Sequence, residues 1–157
     1  MALELTEPQS DADWQAARSL IEEYAQSLSL DLSFQGIAHE LGHLREEYGA
    51  PAGAFLLAQE DGANLGCVGL RALASGAGEI KRLYTVPAAR GRGVGRRLAL
   101  AIVARARELG YERLLLDTLP SMHEAQRLYL TLGFAPTRAY RFNPVPGTVF
   151  MELMLRQ

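Results

Sequence analysis

At 157 residues, 48% apolar and 22% charged, the chain suits one domain with a sizeable core and not a disordered segment. A formal net charge of -2 argues against whole-surface attraction to nucleic acid or anionic lipid, so any arginine cluster acts locally. A single cysteine, Cys67, permits no internal disulfide and fits a reducing compartment, and with neither a leader nor a membrane-length apolar run the expected location is cytoplasmic.

In chain order, residues 2–6 alternate well enough for a short strand. Ser10 or Asp11 then caps a helix to about Leu28, with Trp14, Ala17, Leu20, Ile21 and Tyr24 at helical spacing. A second helix is predicted over 34–48, ended by Pro51 and Gly53. Residues 54–59 and 65–73 read as strands joined by the turn Glu60-Asp61-Gly62-Ala63-Asn64. A fourth strand follows over 79–86, then a helix over 96–109 with Leu98, Ile102 and Val103 on one face and Gly110 past its end. Residues 113–118 form a buried strand, Ser121 caps a helix to Leu132 stopped by Gly133, and 134–140 and 149–155 supply the last strands. Cys67 falls in a strand with no histidine near it in sequence, so it reads as a small buried residue and not as a nucleophile.

The most informative run is Arg90-Gly91-Arg92-Gly93-Val94-Gly95, between the fourth strand and the helix after it. A strand that turns through glycines into a helix start leaves several N–H groups unpaired at the positive end of the helix dipole, which suits a pyrophosphate. Glycine permits positive φ and close approach, while Arg90, Arg92, Arg96 and Arg97 add cationic donors. The spacing is neither that of a Walker loop nor that of a Rossmann turn.

With Pro87 three residues before Arg90, this run resembles the acyl-CoA signature of the GNAT N-acetyltransferases. The segment from Glu124 to Phe134, with Leu128-Tyr129 and Gly133-Phe134, is similar to that family's leucine-tyrosine helix. The resemblance implies an α/β fold with a mixed central sheet of six to seven strands and about four helices, in a single domain over 1–157. It also implies a co-substrate, acetyl-CoA, and no metal. The backbone of Leu83, Tyr84 and Thr85 would pair with the pantetheine arm, and Arg90, Gly91, Arg92, Gly93, Val94, Gly95 and Arg96 would hold the diphosphate. A bulge in the fourth strand would aim an N–H at the thioester carbonyl. Thr85 stands where relatives often have valine, and Met122 where many carry asparagine.

Tyr129 would protonate the departing thiolate, since a phenol of ordinary pKa about 10 keeps its proton at neutral pH. Deprotonation of the acceptor needs a base. Glu79 matches the glutamate position of histone-type relatives, and Asp117, interrupting Leu114-Leu115-Leu116, matches an acidic position of ribosomal-protein relatives; Glu79 is placed slightly ahead. Phe34, Gln35, Tyr140, Arg141 and Asn143 are candidates for the acceptor site beside the rigid loop Pro144-Val145-Pro146-Gly147. Arg141 is a candidate for meeting a substrate carboxylate. The expected reaction is acetylation of a primary amine of a small molecule, amino acid or peptide by direct attack, with Cys67 not needed as an acyl carrier. No nucleic-acid or membrane partner is expected, and pairing of two copies through the terminal strands is plausible.

A rival motif is His39-Glu40-Leu41-Gly42-His43, preceded by Ala38, which fits the HExxH pattern of zinc peptidases. Two histidines four apart share a helix face, but the third ligand is missing: Glu46 and Gly49 stand where the metzincin continuation needs glycine and histidine. A CoA-binding domain without catalysis is the remaining alternative.

Overall fold

The computed structural model describes residues 2–28 and 36–155. Strands β1 (Glu4–Thr6), β2 (Ala54–Glu60), β3 (Ala63–Ala72), β4 (Gly78–Thr85), β5 (Arg113–Thr118), β6 (Ala135–Thr137) and β7 (Val149–Met154) form one sheet in the order β1-β2-β3-β4-β5-β7-β6. All neighbours are antiparallel except β4 and β5. The helices are α1 (Asp11–Ser27), α2 (Ile37–Gly42), α3 (Leu44–Tyr48), α4 (Val94–Glu108) and α5 (His123–Thr131). This is the mixed seven-stranded sheet anticipated, with one helix more.

Local chemistry explains most boundaries. Ser10 Oγ accepts the Asp13 N–H while the Asp13 carboxylate accepts the Ser10 N–H, a reciprocal cap that fixes the start of α1. Asp61 and Gly62, both at positive φ, join β2 to β3 in a two-residue turn, tighter than the five-residue connection expected, because Glu60 and Ala63 already pair. The helix expected over 34–48 is instead two: His43, at φ -138° and ψ 38°, interrupts α2 from α3. Met122, not Ser121, is the N-cap of α5, and no side chain caps it. The strand expected over 134–140 is confined to β6, where Pro136 removes a ladder donor.

The sheet is covered on both faces, which is why β2 reads as a continuous apolar run. Ala54, Leu56 and Ala58 pack with Val68, Leu98, Ile102, Leu114 and Leu116 on the α4 side. Phe55 and Leu57 pack with Ala17, Ile21, Tyr48 and Cys67 on the α1 and α3 side. Cys67 is fully buried, its thiol donates to the Arg82 carbonyl at 3.3 Å, and burial pushes its ionisation up, as a structural cysteine requires.

Candidate active site

The site begins where the sheet comes apart. β4 and β5 pair only at Gly78–Leu114 and Glu79–Leu115, after which they diverge. Gly78 allows this one close approach, because a Cβ there would lie 2.9 Å from Leu114 Cδ2. Just beyond, the β3–β4 register steps from Cys67–Tyr84 to Gly69–Lys81, so two residues of β4 oppose Val68. Arg82, at φ 63°, is the pivot of this bulge. A left-handed arginine is strained by about 1–3 kcal/mol and persists only when its surroundings hold it. They do: Arg82 Nε and Nη2 donate to the two oxygens of buried Glu40 at 2.8 and 2.9 Å, and Tyr48 OH donates to the same carboxylate at 2.9 Å.

That grip also disposes of the zinc motif. Burial alone would push the Glu40 carboxyl up, but the hydrogen bonds and charge of Arg82 hold it below the ordinary carboxylate range. Glu40 is therefore a fixed structural anion and not a free general base. The rings of His39 and His43 stack with centroids 4.1 Å apart, and His43 Nδ1 is hydrogen-bonded to the His39 carbonyl at 2.8 Å.

On one side of the divergence runs a groove of about 870 Å³ lined by Leu83, Tyr84, Thr85, Arg90, Gly91, Gly93, Val94, Gly95, Arg96 and the start of α5. Gly93, at φ 78°, is the N-cap of α4 with no side-chain cap, and Arg97 is the first α4 residue whose N–H reaches a carbonyl of this turn, that of Gly93. The N–H groups before it are left for a ligand. Arg90 stays at the groove, bonded to the Thr85 carbonyl, and Arg96 reaches Thr131 Oγ1. Arg92 departs from expectation: it does not line the groove, and its guanidinium donates to both carboxylate oxygens of Glu60 at the end of β2. Arg97 likewise bonds the Leu3 carbonyl.

A second cleft continues the groove through shared Tyr24, Leu28, Leu83, Met122 and Ala125, and adds Lys81, Asp117, Thr118, Tyr129 and Asn143. Tyr129 is buried against Phe134, ring centroids 5.3 Å apart, and burial pushes its phenol well above its ordinary value. It therefore keeps its proton as a donor must. Met122 lines both spaces, an apolar side chain at the position where asparagine was expected from the family resemblance.

The two carboxylates fare differently. Glu79 is fully buried and saturated: Arg71 Nε donates at 2.9 Å, Tyr140 OH at 2.5 Å, and Arg141 pairs with the same group. Three donors therefore occupy this one buried carboxylate. Arg141, expected to meet a substrate carboxylate, is thus already engaged, with its guanidinium 5.0 Å from the Tyr140 ring centroid. Asp117 lines the cleft and accepts one long hydrogen bond, from Asn143 Nδ2 at 3.4 Å. Phe34 and Gln35 lie outside the described residues.

Sequence reasoning passed over Lys81. Lysine and arginine total 16, yet Lys81 is the chain's one lysine, and its place inside a predicted strand was the available signal. It is 5% exposed, and its Nζ and Thr118 Oγ1 are buried side-chain atoms without a hydrogen-bond partner among the described residues, both belonging to residues of this cleft. Burial, with Arg82 and Arg71 nearby, lowers the ammonium to about 7.

Comparison with known proteins agrees with this architecture. The family model described as Acetyltransferase (GNAT) family matches residues 14–134. An uncharacterised N-acetyltransferase of Schizosaccharomyces pombe is 39% identical over 138 residues, covering 87% of this chain and 85% of its own. An IAA acetyltransferase of Azospirillum brasilense is 38% identical over 102 residues, 62% of this chain and 65% of its own. Among solved structures, a GNAT acetyltransferase of Staphylococcus aureus superposes with a TM-score of 0.81 at 18% identity, covering 99% of this chain and 100% of that one. An acetyltransferase of Salmonella typhimurium, solved with its cofactor acetyl-CoA, gives 0.72 at 20% identity, covering 100% and 96%. The chain therefore belongs to the GNAT family of acetyltransferases, enzymes whose co-substrate is acetyl-CoA.

Proposed function

We propose that this enzyme acetylates a primary amine of a small molecule, amino acid or peptide by direct attack on acetyl-CoA, without an acyl-enzyme. The observation that carries the reading is the continuity of the two spaces: a helix start suited to a diphosphate leads, past a bulged strand, to a buried phenol and a carboxylate. Acetyl-CoA supplies an activated thioester. The N–H groups of Gly93, Val94, Gly95 and Arg96 hold its diphosphate with Arg90 and Arg96, and the main chain of Leu83 to Thr85 aligns its arm. A main-chain N–H of the β4 bulge polarises the carbonyl under attack. Tyr129 OH gives its proton to the departing sulfur.

For the base, support favours Asp117 over Glu79. A general base must reach the substrate and have room for a proton; Asp117 lines the cleft with one weak partner, whereas Glu79 is sealed by three donors. Glu79 serves instead to set Tyr140 and Arg141 beside the cleft.

The test is a free-thiol assay with acetyl-CoA over a panel of amines, amino acids and short peptides, with calorimetry of CoA in parallel. Acceptor-dependent thiol release is expected. CoA binding without release by any acceptor would favour the binding domain, and absence of both would overturn the assignment of the groove.

A further inference from the structure

We propose that Lys81 anchors a carboxylate on the acceptor, so that the amines this cleft takes carry an acidic group, as amino acids do. The proposal rests on the acetyl-transfer reading and names its substrate class. Three arginines at this end of the sheet are engaged. Arg71 pairs with Glu47 and Glu79, Arg82 with Glu40, and Arg141 with Glu79. Lys81, buried and lining the same cleft, has no partner for Nζ among the described residues. Across the cleft on β5, Asp117 is in no ion pair among the described residues, with Lys81 or any other cation. A molecule bearing an amine and a carboxylate matches both: its amine toward Asp117, its carboxylate on Lys81.

The choice of lysine fits this use. The chain's other cationic side chains are arginines, whose guanidinium keeps its charge when buried. An ammonium can shed its proton in an empty site and regain it when an anion arrives, which avoids a lone buried charge. The charged groups around it are Arg71 from β3, its neighbour Arg82, Asp117 from β5 and Glu40 from α2; the cations and burial hold its ionisation near 7, and a bound carboxylate opposes them.

With one lysine in the chain, protein labelled with ε-13C lysine gives one side-chain resonance. It is titrated with pH alone, then with a panel of amino acids and with their carboxamides. At least one amino acid is expected to shift the resonance and raise its midpoint by a unit or more, while its carboxamide leaves it in place. In the thiol assay that amino acid is expected to have a KM at least about tenfold below its carboxamide, with the ratio falling to near one in Lys81→Met and in Lys81→Gln. A resonance unmoved by every carboxylate, or a variant whose loss falls equally on acids and carboxamides, overturns the anchor. The resonance reads Lys81 without turnover, so failure of acetyl transfer itself is seen separately, as a moved resonance with no thiol released.

Discussion

Gly95→Ala separates folding from ligand binding at one atom. Gly91 and Gly93 sit at φ 81° and 78°, where any side chain is strained, but Gly95 lies inside α4 with no positive φ. A Cβ built there meets only Thr85 Oγ1, at an ordinary 3.5 Å. The protein therefore accepts alanine, and helix propensity favours it over glycine by about 0.5–1 kcal/mol. In a domain of this size that raises the melting temperature of the ligand-free protein by roughly 1–4 °C. The methyl also projects beside Thr85 at the groove, where the diphosphate is to approach the backbone. Displacing one charge-assisted hydrogen bond worth about 1.5–3 kcal/mol weakens CoA roughly ten- to a hundredfold. Thermal unfolding without ligand and calorimetry with CoA measure the two effects, which are expected to have opposite signs. A stabilised variant that binds CoA as tightly as the parent would refute the idea that this glycine is there for the ligand.

Tyr129→Phe is expected to lower kcat by at least about 10²-fold with the KM for acetyl-CoA little changed, because the lost proton serves only the departing sulfur; an unchanged kcat removes the acid role. Asp117→Asn is expected to reduce kcat with the fold intact, whereas Glu79→Gln, which disturbs a fully buried and ion-paired carboxylate, mainly reduces stability, by about 3 kcal/mol in chemical denaturation; the reverse pattern would restore Glu79 as base. The Glu40 carboxyl ionises below its ordinary 4.5 in the folded state, so the unfolded chain binds the extra proton first and stability falls as the pH drops from about 4.5 through the folded value. Denaturation midpoints should show that loss, and Glu40→Gln should lack it. Arg92→Ala, removing a side chain turned to Glu60, is expected to leave the KM for acetyl-CoA nearly unchanged, while Arg96→Ala raises it; equal effects would contradict the groove as drawn.

What the sequence determined by itself were the features with local causes. The glycine turn before α4, a helix start at Ser10 or Asp11, a hairpin within residues 60–64 and the order of strands and helices, apart from the break at His43, each follow from residues a few positions apart, and so does the leucine-tyrosine helix that carries Tyr129. Tertiary structure decided which charges were free. Glu79 and Asp117 are equivalent as carboxylates in a sequence, and only the fold surrounds one of them with Arg71 of the neighbouring strand and with Tyr140 and Arg141 of a distant segment. Arg92 and Arg141 were likewise claimed by Glu60 and Glu79, and Glu40 of the zinc-like motif by Arg82, 42 positions away. Lys81 shows the converse, a cation whose value lies in the partners that packing withholds. A charge acts on whatever lies within a few ångströms in space, and periodicity and spacing report only neighbours along the chain.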